Sequence, residues 1–273
     1  MSSTHKTVIA FDLYGTLLST ESIARELATH FGDAKAATIA ALWRRYQLEY
    51  TWRMNSMGLY KPFSSITLQS LRHALAESSE SLSQTAIEQL MKAYDSLGTF
   101  ADVEPALKAV AADESIDAYV FSNGTDAMVG SSVRSSPSLS PHAKVFKDLI
   151  TVEECGSYKP DARVYRHLAR KVGKSTDAEG MAGVWLVSGN PFDVVGARAA
   201  GLQAAWVDRA GGHHGMGGWN DRLGELVGEG GVGPTVVVRG VDEAVREIKK
   251  WTEEHGAGGE RREGKVDAAM GPG

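Results

Sequence analysis

The sequence predicts an α/β fold: a parallel sheet between two layers of helices, with an all-helical segment set in after the first strand. Three observations predict it. Five short runs are apolar on both faces, as strands covered by helices on both sides require. Helix-period segments follow most of them, and such alternation implies parallel strands joined by right-handed crossovers. From about Ser19 to Phe100 clear strand patterns are absent and the reading is helical throughout. The expected architecture is a Rossmann-like three-layer core, residues 1–18 and 101–255, with a helical cap over 19–100 and a disordered tail over 256–273.

The elements follow in order. "TVIAFDL" (Thr7–Leu13) is the first strand. The helical block holds "AATIAALWRRYQLEYTWRM", "SSITLQSLRHALAES" and "SQTAIEQLMKAYDSL", the last with Ser83 as its N-cap. The core resumes with the helix "VEPALKAVAAD" and the strand "DAYVFSN" (Asp117–Asn123). The helix "ARVYRHLARKVG" precedes the strand "GVWLVSG" (Gly183–Gly189), and "PFDVVGARAAG" precedes "QAAWVD" (Gln203–Asp208). "TVVV" (Thr235–Val238) and the helix "VDEAVREIKKW" complete the set. "AGGHHGMGGWN" and "GEGGVG" read as loose glycine-rich connections, with His213 and His214 solvated rather than bound to metal. The tail holds too little apolar content to fold.

Composition narrows the function classes. A chain of 273 residues suits one large domain or a domain with a sizeable insertion. A net charge of -5 argues against a nucleic-acid-binding surface, which is usually basic. One cysteine, Cys155, rules out an intrachain disulfide and is compatible with a reducing compartment. No apolar stretch is long enough to span a membrane, and "MSSTHKT" lacks a signal pattern. The expectation is a cytoplasmic protein with no membrane or nucleic-acid partner.

Ligands of open parallel sheets bind beyond the carboxyl ends of the strands, where a cap would close the site. Four stretches fall there: "FDLYGT", "FSNGT", "SYKPD" and "VSGNPFD". Asp is depleted in strands, and an ionised carboxylate is costly to bury unpaired. Asp12 therefore either caps the "YGT" turn or attacks an electrophilic carbon or phosphorus to form an ester. It is ionised at neutral pH, and Thr16, beyond the Gly15 turn, can donate to it. Ser122, Asn123 and a helix N-capped by Thr125 make either an anion site or ordinary turn chemistry. Lys159 is either a surface charge or a neutraliser of Asp12. Pro160 biases it towards extended backbone and can open the next helix. Near Ser188, Asn190 as N-cap, Pro191 at N1 and Asp193 at N3 make a helix start. Asp193 can also reach Lys159, and Asn190 can hold a water.

Taken in order, an aspartate nucleophile, Ser/Thr, lysine and an acidic loop resemble the haloacid dehalogenase superfamily over about residues 5–207. The core is then expected to be HAD-like. Phosphatases of that superfamily carry a second Asp two residues after the nucleophile and two acids in the last loop for Mg²⁺. This chain has Tyr14 at the first position and Asp193 as its only acid in the second, so a magnesium site would be short of ligands. No cofactor and no metal are expected.

The cap stretch "LWRRYQLEYTWRM" resembles the corresponding helix of type II L-2-haloacid dehalogenases. On a helix Arg44, Gln47, Leu48 and Thr51 share one face. The resemblance implies that Arg44 receives the departing halide, which needs a cation and no proton. It makes Tyr14, Leu48, Phe63 and Phe192 pocket walls, and Ser122 with Asn123 and neighbouring N–H groups the holder of the substrate carboxylate. It assigns Lys159, Ser188, Asn190 and Asp193 to orienting the nucleophile and the hydrolytic water, with Tyr165 beside Lys159 and Asp193.

The implied reaction converts short (S)-2-haloalkanoic acids to (R)-2-hydroxy acids through an ester on Asp12, in a homodimer formed through the cap. "VRSSPSLSPHAK", the loop around Gly211, and Gly189 in place of a second serine depart from the family pattern. A phosphatase of the same fold and a non-catalytic binding scaffold are the rival readings.

Overall fold

In the computed structural model, which describes residues 6–210, 223 and 232–255, strand β1 (Thr7–Phe11) lies inside a six-stranded parallel sheet. The other strands are β2 (Ile116–Ser122), β3 (Phe146–Thr151), β4 (Val184–Ser188), β5 (Gln203–Val207) and β6 (Val236–Val238). Their spatial order is β3-β2-β1-β4-β5-β6. The chain builds one half outward from β1 and then crosses to β4 to build the other. The point where the direction reverses, between β1 and β4, is where open sheets form a crevice.

Alternation along the strands sorts side chains into two cores. Ile9 and Phe11 of β1, Trp185 and Val187 of β4 and Ala205 of β5 pack on one face. Val8, Ala10, Val184, Leu186 and Ala204 pack on the other. The first face is covered by α5 (Val103–Ala111) and α10 (Val241–His255), the second by α7 (Ala162–Lys171) and α9 (Pro191–Ala199). Two buried faces explain why the strand runs read as continuously apolar.

The reading of five strands is corrected to six. β3, "FKDLIT", was not expected, because Lys147 and Asp148 interrupt its apolar run and are exposed. It is an edge strand, where charges on the open side are tolerated and discourage pairing with another chain. Lys147 there pairs with Asp117 of β2.

Four α-helices lie between β1 and α5: α1 (Glu21–Phe31), α2 (Asp33–Ser56), α3 (Phe63–Glu77) and α4 (Gln84–Ala93). Ser83 caps α4 as expected, accepting the Ala86 N–H at 3.2 Å. The chain leaves and re-enters the core at one place. Leu18 bridges Thr99 in antiparallel fashion, and the Ser19 N–H donates to Gly98 O at 2.8 Å. Trp43 Nε1 donates to Thr67 O at 2.8 Å and ties α2 to α3.

The far end of α2 is fastened to the core. Asn55 donates to Tyr158 O at 2.6 Å and accepts the Tyr158 N–H at 2.9 Å. The Trp52 ring meets Phe192 of α9 edge-on at 5.3 Å. The core also holds α6 (Asp126–Ser135) and the short α8 (Ala178–Ala182). His213, His214, most of both glycine-rich connections and the tail from residue 256 lie outside the described residues. Among the described residues no helix is long and apolar enough to cross a membrane.

Leu186 is fully buried on the central strand β4. Leu186→Ala should lower stability by about 2–5 kcal/mol in urea unfolding, as buried leucine truncations do. An unchanged midpoint would contradict the two-layer packing.

Candidate active site

Asp12 follows β1 directly, and its N–H still donates to Val187 O of β4 at 2.9 Å. The ladder therefore aims its side chain into the crevice between β1 and β4. Gly15 turns the chain back with φ of 86°, a value that favours glycine. The turn brings Thr16 Oγ1 to 2.6 Å from Asp12 Oδ2. Asn190 Nδ2 donates to the same oxygen at 2.8 Å, and Ser188 Oγ approaches it at 3.5 Å. Among the described residues Oδ1 has a single donor, Lys159 Nζ at 3.1 Å. The carboxylate is buried yet asymmetrically held: one oxygen is crowded by donors, while the other meets only an ammonium.

Lys159 is 1% exposed. Its ammonium donates to Asp12 Oδ1, to Asp193 Oδ2 at 2.8 Å and to Phe121 O at 2.9 Å. Three acceptors match its three hydrogens. Burial alone would push this ammonium down, but Asp12 and Asp193 outweigh it and hold the lysine above its ordinary value. Asp193, in the first turn of α9, is fully buried. Burial pushes its carboxyl up; Lys159 pulls the other way, and the Asp12 charge adds to the rise. Tyr165 Oη donates to Asp193 Oδ1 at 2.8 Å. Burial and then the Asp193 charge hold that phenol well above its usual value, so it remains a donor.

Pro160 does not open α7. Asp161 caps that helix through the Arg163 N–H at 2.8 Å, so Pro160 lies one residue ahead of the cap. Asn190 stands at the N-cap of α9 without capping through its side chain. Its amide is committed instead to Asp12, to Tyr14 O at 3.2 Å and to the Arg44 guanidinium.

Arg44 reaches in from α2. Its Nη2 donates to Asn190 Oδ1 at 3.2 Å and Tyr14 O at 3.4 Å, and its Nη1 donates to Gln47 Oε1 at 2.7 Å. Burial lowers its pKa, with Tyr94, Asp12 and Tyr14 opposing, and it remains a cation at neutral pH. Gln47 is fully buried and bonded onward to Thr67 Oγ1 at 2.8 Å. The shared face of α2 is as expected: Gln47, Leu48 and Thr51 are buried with Arg44 beside them. Sequence reading placed Gln47 on that face without seeing that it orients Arg44. It missed the Asn55–Tyr158 clasp altogether, since nothing local marks either residue.

Apolar residues surround these groups. Phe63 stacks on Tyr14 with ring centroids 6.4 Å apart, and Tyr94 meets Tyr14 edge-on at 6.1 Å. Leu48 is buried and, with Arg44 and Tyr94, lines a cavity of about 600 Å³. Phe192 packs on Trp52. Ser122 ends β2 and its Oγ accepts the Gly124 N–H at 3.0 Å. Asn123 Oδ1 accepts the Lys159 N–H at 2.9 Å. Thr125 caps α6 through the Met128 N–H at 3.2 Å. Gly189, where a serine was expected, donates its N–H to Thr16 Oγ1 at 2.9 Å. A Cβ there would lie 2.6 Å from Gly15 O, so any side chain would displace the nucleophile turn.

Among the described residues no group of three or more His, Cys, Asp or Glu is arranged to hold a metal ion. Between the two carboxylates of the site stands the Lys159 ammonium. Lys159→Met would leave those carboxylates facing each other and should cost about 3–5 kcal/mol of stability, as losing one partner of a buried pair does. Lys159→Met with Asp193→Asn should recover part of that loss, measured by urea unfolding. Equal loss in the single and double variants would contradict the coupling.

The family model described as haloacid dehalogenase-like hydrolase matches residues 6–201. An (S)-2-haloacid dehalogenase of Pseudomonas putida is 33% identical over 203 residues, which span 74% of this chain and 86% of that protein. A solved L-2-haloacid dehalogenase superposes with a TM-score of 0.75 at 26% identity, covering 89% of this chain and 98% of the other. A dehalogenase solved with an intermediate complex gives 0.74 at 25% identity, covering 89% and 97%. This chain belongs to the haloacid dehalogenase-like hydrolases, in the family of the (S)-2-haloacid dehalogenases.

Proposed function

We propose that the protein hydrolyses the carbon–halogen bond of short (S)-2-haloalkanoic acids, giving (R)-2-hydroxy acids through an ester on Asp12. The observation that carries this reading is the asymmetry of Asp12: Oδ2 is held by Thr16, Asn190 and Ser188, whereas among the described residues Oδ1 accepts a hydrogen bond from Lys159 alone. Oδ1 is then the attacking atom. It displaces halide from C2 in line, and the electrons of the broken bond leave with the halide towards Arg44. No proton is needed, which suits Tyr14: its hydroxyl lies 3.1 Å from Ser132 Oγ, and a phenol is a poor acid at neutral pH.

The ester leaves Oδ2 as its carbonyl oxygen. The donors that held the carboxylate now polarise that carbonyl, and when water attacks Cγ they receive the developing oxyanion. Water gives one proton to Asp193, whose carboxyl burial raises. As the tetrahedral intermediate collapses, the original Oδ1 leaves with C2 and takes that proton back as the hydroxyl of the product. The second water proton passes to solvent as the Asp12 carboxylate re-forms. Configuration inverts once, at C2. Ser122 keeps its hydroxyl hydrogen for the substrate carboxylate, since its oxygen already accepts Gly124 N–H. Asn123 offers Nδ2, its Oδ1 being taken by Lys159 N–H.

The same reading treats residues 19–100 as a cap domain over a core of residues 1–18 and 101–255, supported by the single crossing at Leu18 and Thr99. It takes the protein as a cytoplasmic homodimer. Exposed Met57 and Leu59, just past the end of α2, support pairing through the helical segment.

Chloride release from (S)-2-chloropropionate should exceed that from the (R) enantiomer by at least about a hundredfold, the usual reach of a shaped site. It should be unchanged by EDTA. Phosphate-ester hydrolysis that EDTA abolishes, without halide release, would favour a phosphatase. Asp12→Asn should lower kcat by at least about a thousandfold while the fold survives, because the nucleophile itself is lost. Undiminished halide release by that variant would refute the mechanism.

A further inference from the structure

Arg209 lies just past the carboxyl end of β5 and takes no part in the chemistry above. Its Nε and Nη2 donate to Asp102 Oδ1 and Oδ2 at 2.9 and 2.7 Å. Nη2 also donates to Thr16 O at 2.8 Å. The face of the guanidinium lies 3.7 Å from the Phe100 ring centroid. Asp102 in turn accepts the Val241 N–H at 2.7 Å, at the start of α10. One planar fork thus joins the nucleophile turn, the chain returning from the helical segment, the loop after β5 and α10. The side chains of Arg209 and Asp102 are about a fifth exposed, at 21% and 19%.

The joint matters because of what Thr16 does. Its carbonyl is held by Arg209, while its hydroxyl donates to Asp12 Oδ2 at 2.6 Å and accepts Gly189 N–H. Asp12 keeps Oδ1 towards the substrate only while Oδ2 stays on its donors. The turn has closures of its own, with Gly15 N–H on Leu18 O and the Leu17 and Leu18 N–H groups on Leu13 O. It should therefore survive the loss of Arg209 and shift rather than unfold. Lysine cannot replace this fork, since a bidentate carboxylate pair, a carbonyl and a stacked ring need a planar, multiply donating group.

We propose that Arg209 is a positioning residue for the nucleophile: anchored by Asp102, it holds Thr16 through its carbonyl and so sets the rotamer of Asp12. The proposal rests on the reading of Asp12 as nucleophile. Arg209→Ala should leave KM for (S)-2-chloropropionate within about twofold and lower kcat by at least about tenfold, because small misplacements of reacting groups cost rate rather than binding. Guanidinium chloride at tens of millimolar should restore part of kcat by filling the vacated site, which adjoins a cavity of about 190 Å³ lined by Gly15, Phe100 and Gly189. Arg209→Lys should recover less than added guanidinium does.

A crystal structure of Arg209→Ala should show the Thr16–Asp12 hydrogen bond lengthened or lost. Should Arg209→Ala fail to fold, Asp102→Asn, which loosens the anchor and keeps the guanidinium, should give the same kcat-selective loss. A folded variant with kcat within twofold and the Thr16–Asp12 bond intact would overturn the proposal. So would a loss of kcat that guanidinium does not relieve. If the unmodified protein releases no halide from 2-haloacids, the dehalogenase reading fails by itself. The Arg209→Ala structure then still decides the positioning claim: a lost bond supports it, and a kept bond overturns it.

Discussion

One ammonium, buried between two carboxylates, sets the terms for the rest of the molecule. Lys159 is 1% exposed, and burying the carboxylates of Asp12 and Asp193 without a paired cation would be costly. Each partner comes from a different element: Asp12 from the end of β1, Asp193 from the first turn of α9 and Lys159 from the approach to α7. Satisfying all three groups fixes how the carboxyl ends of β1 and β4 and the helices beneath them sit together. A second cation, Arg44, reaches the same site from α2 through Asn190, so two cations, Lys159 and Arg44, stand beside Asp12 and Asp193.

This arrangement separates two duties that a single carboxylate must perform in turn. An attacking oxygen has to be accessible and weakly hydrogen-bonded; an ester carbonyl awaiting water has to be strongly polarised. Asp12 meets both because its two oxygens face different neighbours. The donors on Oδ2 are in place before any charge develops there, which is the condition for electrostatic help without reorganisation. Tyr165 and Gln47 stand behind the reacting groups, one bonded to Asp193 and the other to Arg44. Each has a buried polar end with a named partner, so the groups in front are held by a rigid frame rather than by loops alone.

Much of this was legible in the chain itself, and the reasons are local. The central strands are buried on both faces and read as apolar runs; Ser83 and Thr125 cap their helices as their positions suggest. Asp12 stood out as a charge at the end of an apolar strand, whereas Lys159 also suited a surface charge and Asp193 an ordinary helix start, and the two gained meaning only as members of the ordered set. β3 was missed because an edge strand obeys solvent as much as core, and Lys147 with Asp148 hides it. Asn190 read as a helix cap, and only the folded crevice reveals that its amide is spent on Asp12 and Arg44. The Asn55–Tyr158 clasp and the Arg209–Asp102 fork join residues about a hundred positions apart. No periodicity or short motif encodes a meeting of that kind. Gly189 looked like a missing serine; packing shows a position where Gly15 O leaves no room for a side chain.

The central claim is that Asp12 becomes an ester whose own carbonyl carbon is then attacked by water. A single turnover in heavy-oxygen water, with enzyme in excess over (S)-2-chloropropionate, tests it most directly. Mass spectrometry of the hydroxy acid and of the peptide containing Asp12 should find the label in the aspartate and an unlabelled oxygen in the product. Label entering the product directly in the first turnover, with Asp12 unlabelled, would mean that water attacks C2 itself and would contradict the account.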